Sequence, residues 1–172
     1  MNELAHFSTV QEFWRNFNHL PTPSQVFFDG DCRKKVGPDQ RTIEEFSLFK
    51  KGIEPEWGDP ANAQGGEWFC RQALEPEVLD LYWQNLVFAV VGETIEDAVS
   101  GPEGPDVING IRVLDKSRGY PTFKIEIWIK TRDAATKEKV KDRLLELMMD
   151  GQSASSPRGR VHPKFDWKDH SP

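Results

Sequence analysis

Phe46-Ser47-Leu48-Phe49-Lys50-Lys51-Gly52-Ile53-Glu54-Pro55-Glu56-Trp57, followed by Gly65-Gly66-Glu67-Trp68, is the stretch on which the rest of the chain is organised. It starts apolar and strand-like, breaks at Gly52, and is stiffened by Pro55 just before Trp57. Trp57 is therefore expected on a loop. A presented indole suits a flat ligand, whereas an indole folded under its own loop serves only packing.

Upstream, Ser8 or Thr9 caps a helix, with Gln11 and Glu12 three residues beyond them respectively, and Val10, Phe13, Trp14 and Phe17 recur at helical spacing. That helix ends near His19, before Pro21 and Pro23. From Pro21 to Arg41 the composition turns to Pro, Gly, Asp, Lys and Arg around the apolar island Val26-Phe27-Phe28, which reads as a long loop with room for one strand.

Downstream, residues 58–66 connect to a strand from Glu67 to Ala73. A second helix runs from Glu75 or Pro76 to Val91, with Pro suited to its first turn and a broad apolar face that needs a sheet beneath it. Strands follow at Val107 to Leu114 and at Phe123 to Ile129. In the latter, the Phe123, Ile125, Ile127, Ile129 row opposes Lys124, Glu126 and Trp128, so Lys124 and Trp128 share one face. A third helix spans Asp133 to Met149, and the Gly-, Ser- and Pro-rich stretch after Asp150 reads as a flexible tail.

At 172 residues with 37% hydrophobic and 29% charged content, a single domain over 1–172 is expected, with an insertion at about 21–45 and the tail from about 151. The fold class is α+β: a mostly antiparallel sheet with helices on one face. No apolar run is long enough to span a bilayer, which points to cytosol or nucleus and to no membrane partner. Cys32 and Cys70 and the four His show neither a disulfide framework nor metal-ligand spacing. No phosphate-cradling Gly-rich loop or nucleophile elbow occurs, so neither an enzyme nor a cofactor is expected. The net charge of −6 argues against coating long nucleic acid and leaves room for a local cluster that holds a few phosphates.

The central stretch, Ser47-Leu48-Phe49-Lys50 into Gly52-Ile53-Glu54-Pro55-x-Trp57 and then Gly65-Gly66-x-Trp68, resembles the signature of the eukaryotic translation initiation factor 4E family, which binds the 7-methylguanosine cap of messenger RNA. Thr9-Val10-x-Glu12-Phe13-Trp14 with Asn18-His19, Trp83 to Gly92-Glu93, and Lys124-Ile125-x-Ile127-Trp128 match in the same order. The resemblance implies a curved sheet with three helices on its convex face. It also implies that Trp57 stacks on the cap base, Trp128 lines the pocket beside the N7 methyl group, and Arg112 and Lys124 hold the triphosphate. On the opposite surface, Val10, Trp14 and Gly92, with Gln84, Asn85 and Phe88 at altered positions, would receive an amphipathic helix. The partners so implied are capped messenger RNA and a scaffold protein of the initiation factor 4G type or a related helical-motif protein, bound by a chain that is monomeric alone.

Three departures shape the expected site. The family's other stacking Trp falls upstream of Met1, so either a segment carrying it precedes this chain or Phe7, Phe27, Phe28 or Trp167 supplies the second face. The carboxylate that reads the guanine edge is replaced by Gly58, which leaves Glu56 and Asp59 as candidates. Where the family places an Arg, this chain has Glu67, so affinity for the bare cap is expected to be lower unless Arg158, Arg160 or Lys164 compensates. The other function consistent with these changes is a fold-retaining regulator that keeps the partner surface and has weak or no cap affinity.

Overall fold

The computed structural model describes residues 3–101, 106–152 and 161–170. Helix α1 (Val10–Phe17) is capped by Thr9, whose Oγ1 accepts from the Glu12 N–H, while the Ser8 N–H donates back to the Glu12 carboxylate. The two residues thus divide one capping box between them.

The insertion is structured, contrary to the loop expected from its composition. Pro23 opens a one-turn helix α2 (Pro23–Val26), and Gln25 Oε1 accepts from Thr22 N–H at its start. Val26 and Phe27 are buried core, and Phe27 stacks between Phe46 and Phe123. Ser24 donates through both its N–H and its hydroxyl to Asp80, which ties the insertion to the long helix beyond. A small hairpin, β1 (Lys35–Val36) with β2 (Arg41–Thr42), completes it.

Strand β3 (Glu45–Phe49) is followed by the Trp57 loop and β4 (Gly66–Gln72). Helix α3 (Pro76–Val91) buries Leu79, Tyr82, Trp83, Leu86 and Val87 and ends at Gly92. Glu93, in the left-handed region at φ 55°, turns the chain into a short helix α4 (Thr94–Ser100). Glu96 on α4 accepts from Val107 N–H, Ile108 N–H and Lys50 Nζ, pinning α4 to the sheet. Strands β5 (Ile108–Asp115) and β6 (Phe123–Ile129) precede α5 (Ala134–Met149), which Asp133 caps. The three long helices are those expected. The two added short ones are fixed by tertiary contacts, which periodicity does not register.

The segment expected as a flexible tail contributes β7 (Asp166–Asp169), which pairs with β4. Trp167 is half-buried against Trp68 and the Lys137 ammonium, and the β4 ladder holds its backbone, reasons that lie outside its own composition. The five-stranded sheet has the order β3-β5-β6-β4-β7, and every pairing is antiparallel. Its Ile111, Val113, Ile125, Ile127 and Ile129 side chains meet the helices in one core. The paired glycines are steric necessities: a Cβ on Gly65 would fall 1.8 Å from the Ile129 carbonyl oxygen, and one on Gly66 would fall 2.3 Å from the Trp167 ring.

Candidate functional site

Among the described residues, one sheet face carries no helix, and alternation along the strands sets its side chains in rows. Phe49, Gly110, Trp128, Glu67 and Lys168 stand opposite one another across all five strands. The next row is Ser47, Arg112, Glu126, Phe69 and Asp166, and the one after it runs from Glu45 through Leu114 and Lys124 to Arg71. Gly110 makes room for the Phe49 ring, which then meets Trp128 edge-on at 5.3 Å.

The Trp57 loop closes over one end of this face. Asp59 accepts from the Glu54 and Ala61 N–H groups, and Asn62 Nδ2 donates to the Glu54 and Glu56 carbonyls. Asn109 on β5 donates to the Ala61 carbonyl and to Asn62 Oδ1, locking the loop to the sheet. Between loop and strands lies a cavity of about 380 Å³ lined by Pro55 through Gly58, Glu67, Arg112, Lys124, Glu126 and Trp128.

Its electrostatics are tightly paired. Arg112 donates from Nε and Nη2 to the two Glu45 oxygens at 2.9 and 2.7 Å. Lys124 Nζ lies 2.7 Å from Glu67 and 2.5 Å from Glu126, and Trp128 Nε1 donates to the other Glu126 oxygen at 2.8 Å. Glu67 is only 1% exposed. Burial raises its carboxyl pKa, but the neighbouring His170 and Lys124 outweigh burial and hold it at about 2, so Glu67 is a fixed negative charge. Beside Trp57, the His170 ring lies nearly parallel at 6.2 Å between centroids, and it also contacts Trp128 at 4.3 Å. The Lys168 ammonium sits 3.7 Å from the Trp57 ring centre.

Trp57, Trp128, Arg112, Lys124 and Glu56 are thus brought together, with Trp57 37% exposed and Trp128 buried. Asp59 is not available to a ligand in the same way, because both its oxygens serve the loop backbone. Lys164 bonds through its N–H to Gln72 and does not line the cavity, and Arg158 and Arg160 lie outside the described residues. None of the aromatics considered for a second stacking face lines it either: Phe7 packs on Phe13, Phe27 is core, Phe28 gives its N–H to Asp115, and Trp167 meets Trp68 edge-on. Sequence reasoning missed Asn62, Asn109, Lys168 and His170. The first two carry no motif, and the last two reach the site only through the β7 pairing.

On the helical surface, Val10 and Trp14 are 64% and 41% exposed, and Trp14 packs on Phe88 at 5.3 Å. Gln84 is exposed, while Asn85 is engaged by the Leu147 and Asp150 carbonyls. Gly92 caps α3, where a Cβ would press within 2.9 Å of the Phe88 carbonyl oxygen. Among the described residues no group of metal-ligating side chains is present, and no helix is long and apolar enough to cross a membrane.

The chain is thus an open antiparallel sheet backed by helices, with an indole over a pocket of paired charges on its other face. The sequence profile described as Eukaryotic initiation factor 4E matches residues 1–158, and the chain belongs to that family. The eukaryotic translation initiation factor 4E of Candida albicans is 31% identical over 145 residues, which is 83% of this chain and 58% of that protein. The chain therefore spans little more than half the length of that relative. Among solved structures, Caenorhabditis elegans eIF4E-3 in complex with the 4E-binding protein Mextli superposes with TM-score 0.70 at 22% identity, covering 98% of this chain and 80% of that one. Ascaris suum eIF4E-3 with m7G cap gives TM-score 0.67 at 23% identity, covering 98% and 77%.

Proposed function

We propose that this chain is a non-catalytic binder of the 7-methylguanosine end of messenger RNA that also docks an amphipathic helix of a translation scaffold on α1 and α3. The observation that carries the reading is the exposed Trp57 indole over a cavity floored by Trp128 and edged by Arg112 and Lys124. A methylated guanine is a flat cation, and stacking and cation-π attraction both favour it over ordinary guanine. Glu56, on the cavity rim, is the carboxylate placed to meet the base edge. Val10, Trp14 and Phe88 form the apolar patch for the partner helix. The chain acts in the cytosol or nucleus, with residues 1–172 forming one cap-binding domain that is monomeric alone.

One observation favours a second reading, that of an interaction protein with little cap affinity: both cavity cations are already held by carboxylates. Titration with 7-methyl-GTP and with GTP, followed by Trp fluorescence, separates the two. Saturable quenching by the methylated nucleotide alone supports the first reading, and no response to either supports the second.

A further inference from the structure

We propose that this pocket selects the positive charge of the methylated base and draws little affinity from the phosphates, so that its ligand class is an N7-alkylated purine largely irrespective of phosphate number. The inference rests on the reading of the cavity as a cap site and deepens it.

The argument is one of charge. The cavity is lined by three carboxylates, Glu56, Glu67 and Glu126, against two cations, Arg112 and Lys124, and Glu45 stands behind Arg112 as a fourth carboxylate. A cationic ring entering this space meets net negative charge from the carboxylates and an electron-rich indole, both attractive, against the repulsion of the Lys168 ammonium on that indole.

A phosphate meets the opposite. To bind Lys124 it must approach Glu67 and Glu126, whose side chains are 1% and 4% exposed and which each hold that ammonium at hydrogen-bond distance. Drawing Lys124 away leaves two buried carboxylates short of their cation and beside a new anion, in surroundings where water screens little. Arg112 is bound in a two-point fork by Glu45, so it turns to a phosphate only by giving up its most favourable geometry. The Lys168 ammonium on Trp57 belongs to the same pattern, for the indole already attracts a cation.

The test is isothermal titration of the protein with 7-methylguanosine, 7-methyl-GMP, 7-methyl-GTP and GTP at fixed ionic strength. The expected result is affinities for the three methylated ligands within about threefold of one another, with GTP far weaker and a shallow salt dependence. Glu67→Gln should then weaken nucleoside binding, because one attracting carboxylate is lost, and raise the ratio of triphosphate to nucleoside affinity by about tenfold or more, since Lys124 is released from one carboxylate. Glu45→Gln at the sheet edge frees Arg112 and keeps the comparison readable if the buried substitution disturbs folding. A rise of about tenfold or more from nucleoside to triphosphate in the unaltered protein overturns the inference while leaving cap binding intact. Failure of all methylated ligands to bind overturns the cap-site reading and the inference together. Flat phosphate dependence that neither Gln variant changes overturns the role given to these carboxylates.

Discussion

The Lys168 ammonium rests 3.7 Å from the centre of the Trp57 indole, so a cation contributed by the last strand of the sheet already engages the aromatic surface that faces the cavity mouth. β7 brings it there by pairing Lys168 opposite Glu67, and the same strand end carries His170 between the two indoles. The site is therefore assembled from segments more than 100 residues apart, with the Trp57 loop and β7 meeting across β4.

Trp57 and Lys168 should give opposite results. Trp57→Ala removes a half-exposed loop ring and little core, so the thermal midpoint should hold while affinity for 7-methyl-GTP falls by about 1 to 3 kcal/mol, the worth of one stacking contact. Lys168→Ala removes a cation competing for the same π density, whichever face of the indole the base takes. It should strengthen binding of 7-methylguanosine by about 0.5 to 1 kcal/mol. Fluorescence titration of both variants checks this. Full affinity in a folded Trp57→Ala protein removes Trp57 from the site, and weaker nucleoside binding by Lys168→Ala shows that Lys168 holds the ligand.

Glu67 links the site to acid stability. Its carboxyl pKa is lowered from 4.5 to about 2 in the folded protein, so its contribution is fully present above pH 4.5 and drains away as pH falls toward 2. Between pH 6 and pH 3 the protein should lose about 2 kcal/mol through this group alone. Glu67→Gln should be less stable at pH 6 and show a flatter loss over that window. Urea midpoints at the two pH values measure it, and parallel slopes for the two proteins would refute the assignment.

Much of this architecture was legible in the chain because its causes are local. The alternation from Phe123 to Ile129 separates Lys124 and Trp128 from the core row, and the Pro55-Glu56-Trp57 loop announces its indole. What could not be read depends on partners distant in sequence. Val26-Phe27 looks like a strand until Phe46 and Phe123 close around it, and residues 166–169 look like tail until β4 supplies their ladder. Arg112 and Lys124 were legible as cations. That Glu45, Glu67 and Glu126 already hold them follows only from register.

The partner surface predicts a separable loss. Trp14 is 41% exposed and lies against Phe88 on α3, with Phe13 and Phe17 around it. Trp14→Ala should cost the fold about 1 kcal/mol in lost aromatic contact and cost a helical partner about 2 kcal/mol or more, as a buried interface Trp does. Cap affinity should not change. Co-purification on cap resin of a scaffold fragment of the initiation factor 4G type decides it, and undiminished recovery with the variant would place the partner elsewhere.

Gly58 carries the last prediction. A Cβ built there meets nothing within 4 Å, and its backbone is not in the left-handed region, so a larger residue is accepted without strain. The carboxylate of Asp59, its neighbour, is bound to the Glu54 and Ala61 N–H groups and cannot turn to a base without opening the loop. Glu56 is then the carboxylate left at the rim, on the other side of Trp57. If Glu56 alone meets the guanine edge, Gly58→Glu adds a second acceptor next to the stacking ring and should strengthen binding by about 1 to 3 kcal/mol through charged hydrogen bonds to N1 and N2. Glu56→Gln should weaken it, and Gly58→Glu should rescue that loss. Isothermal titration of the two single variants and the double variant with 7-methylguanosine is the measurement. A Gly58→Glu protein that binds no better, beside a Glu56→Gln protein that binds no worse, would mean that the base edge is read by the buried Glu126 or by backbone, with the rim carboxylates idle.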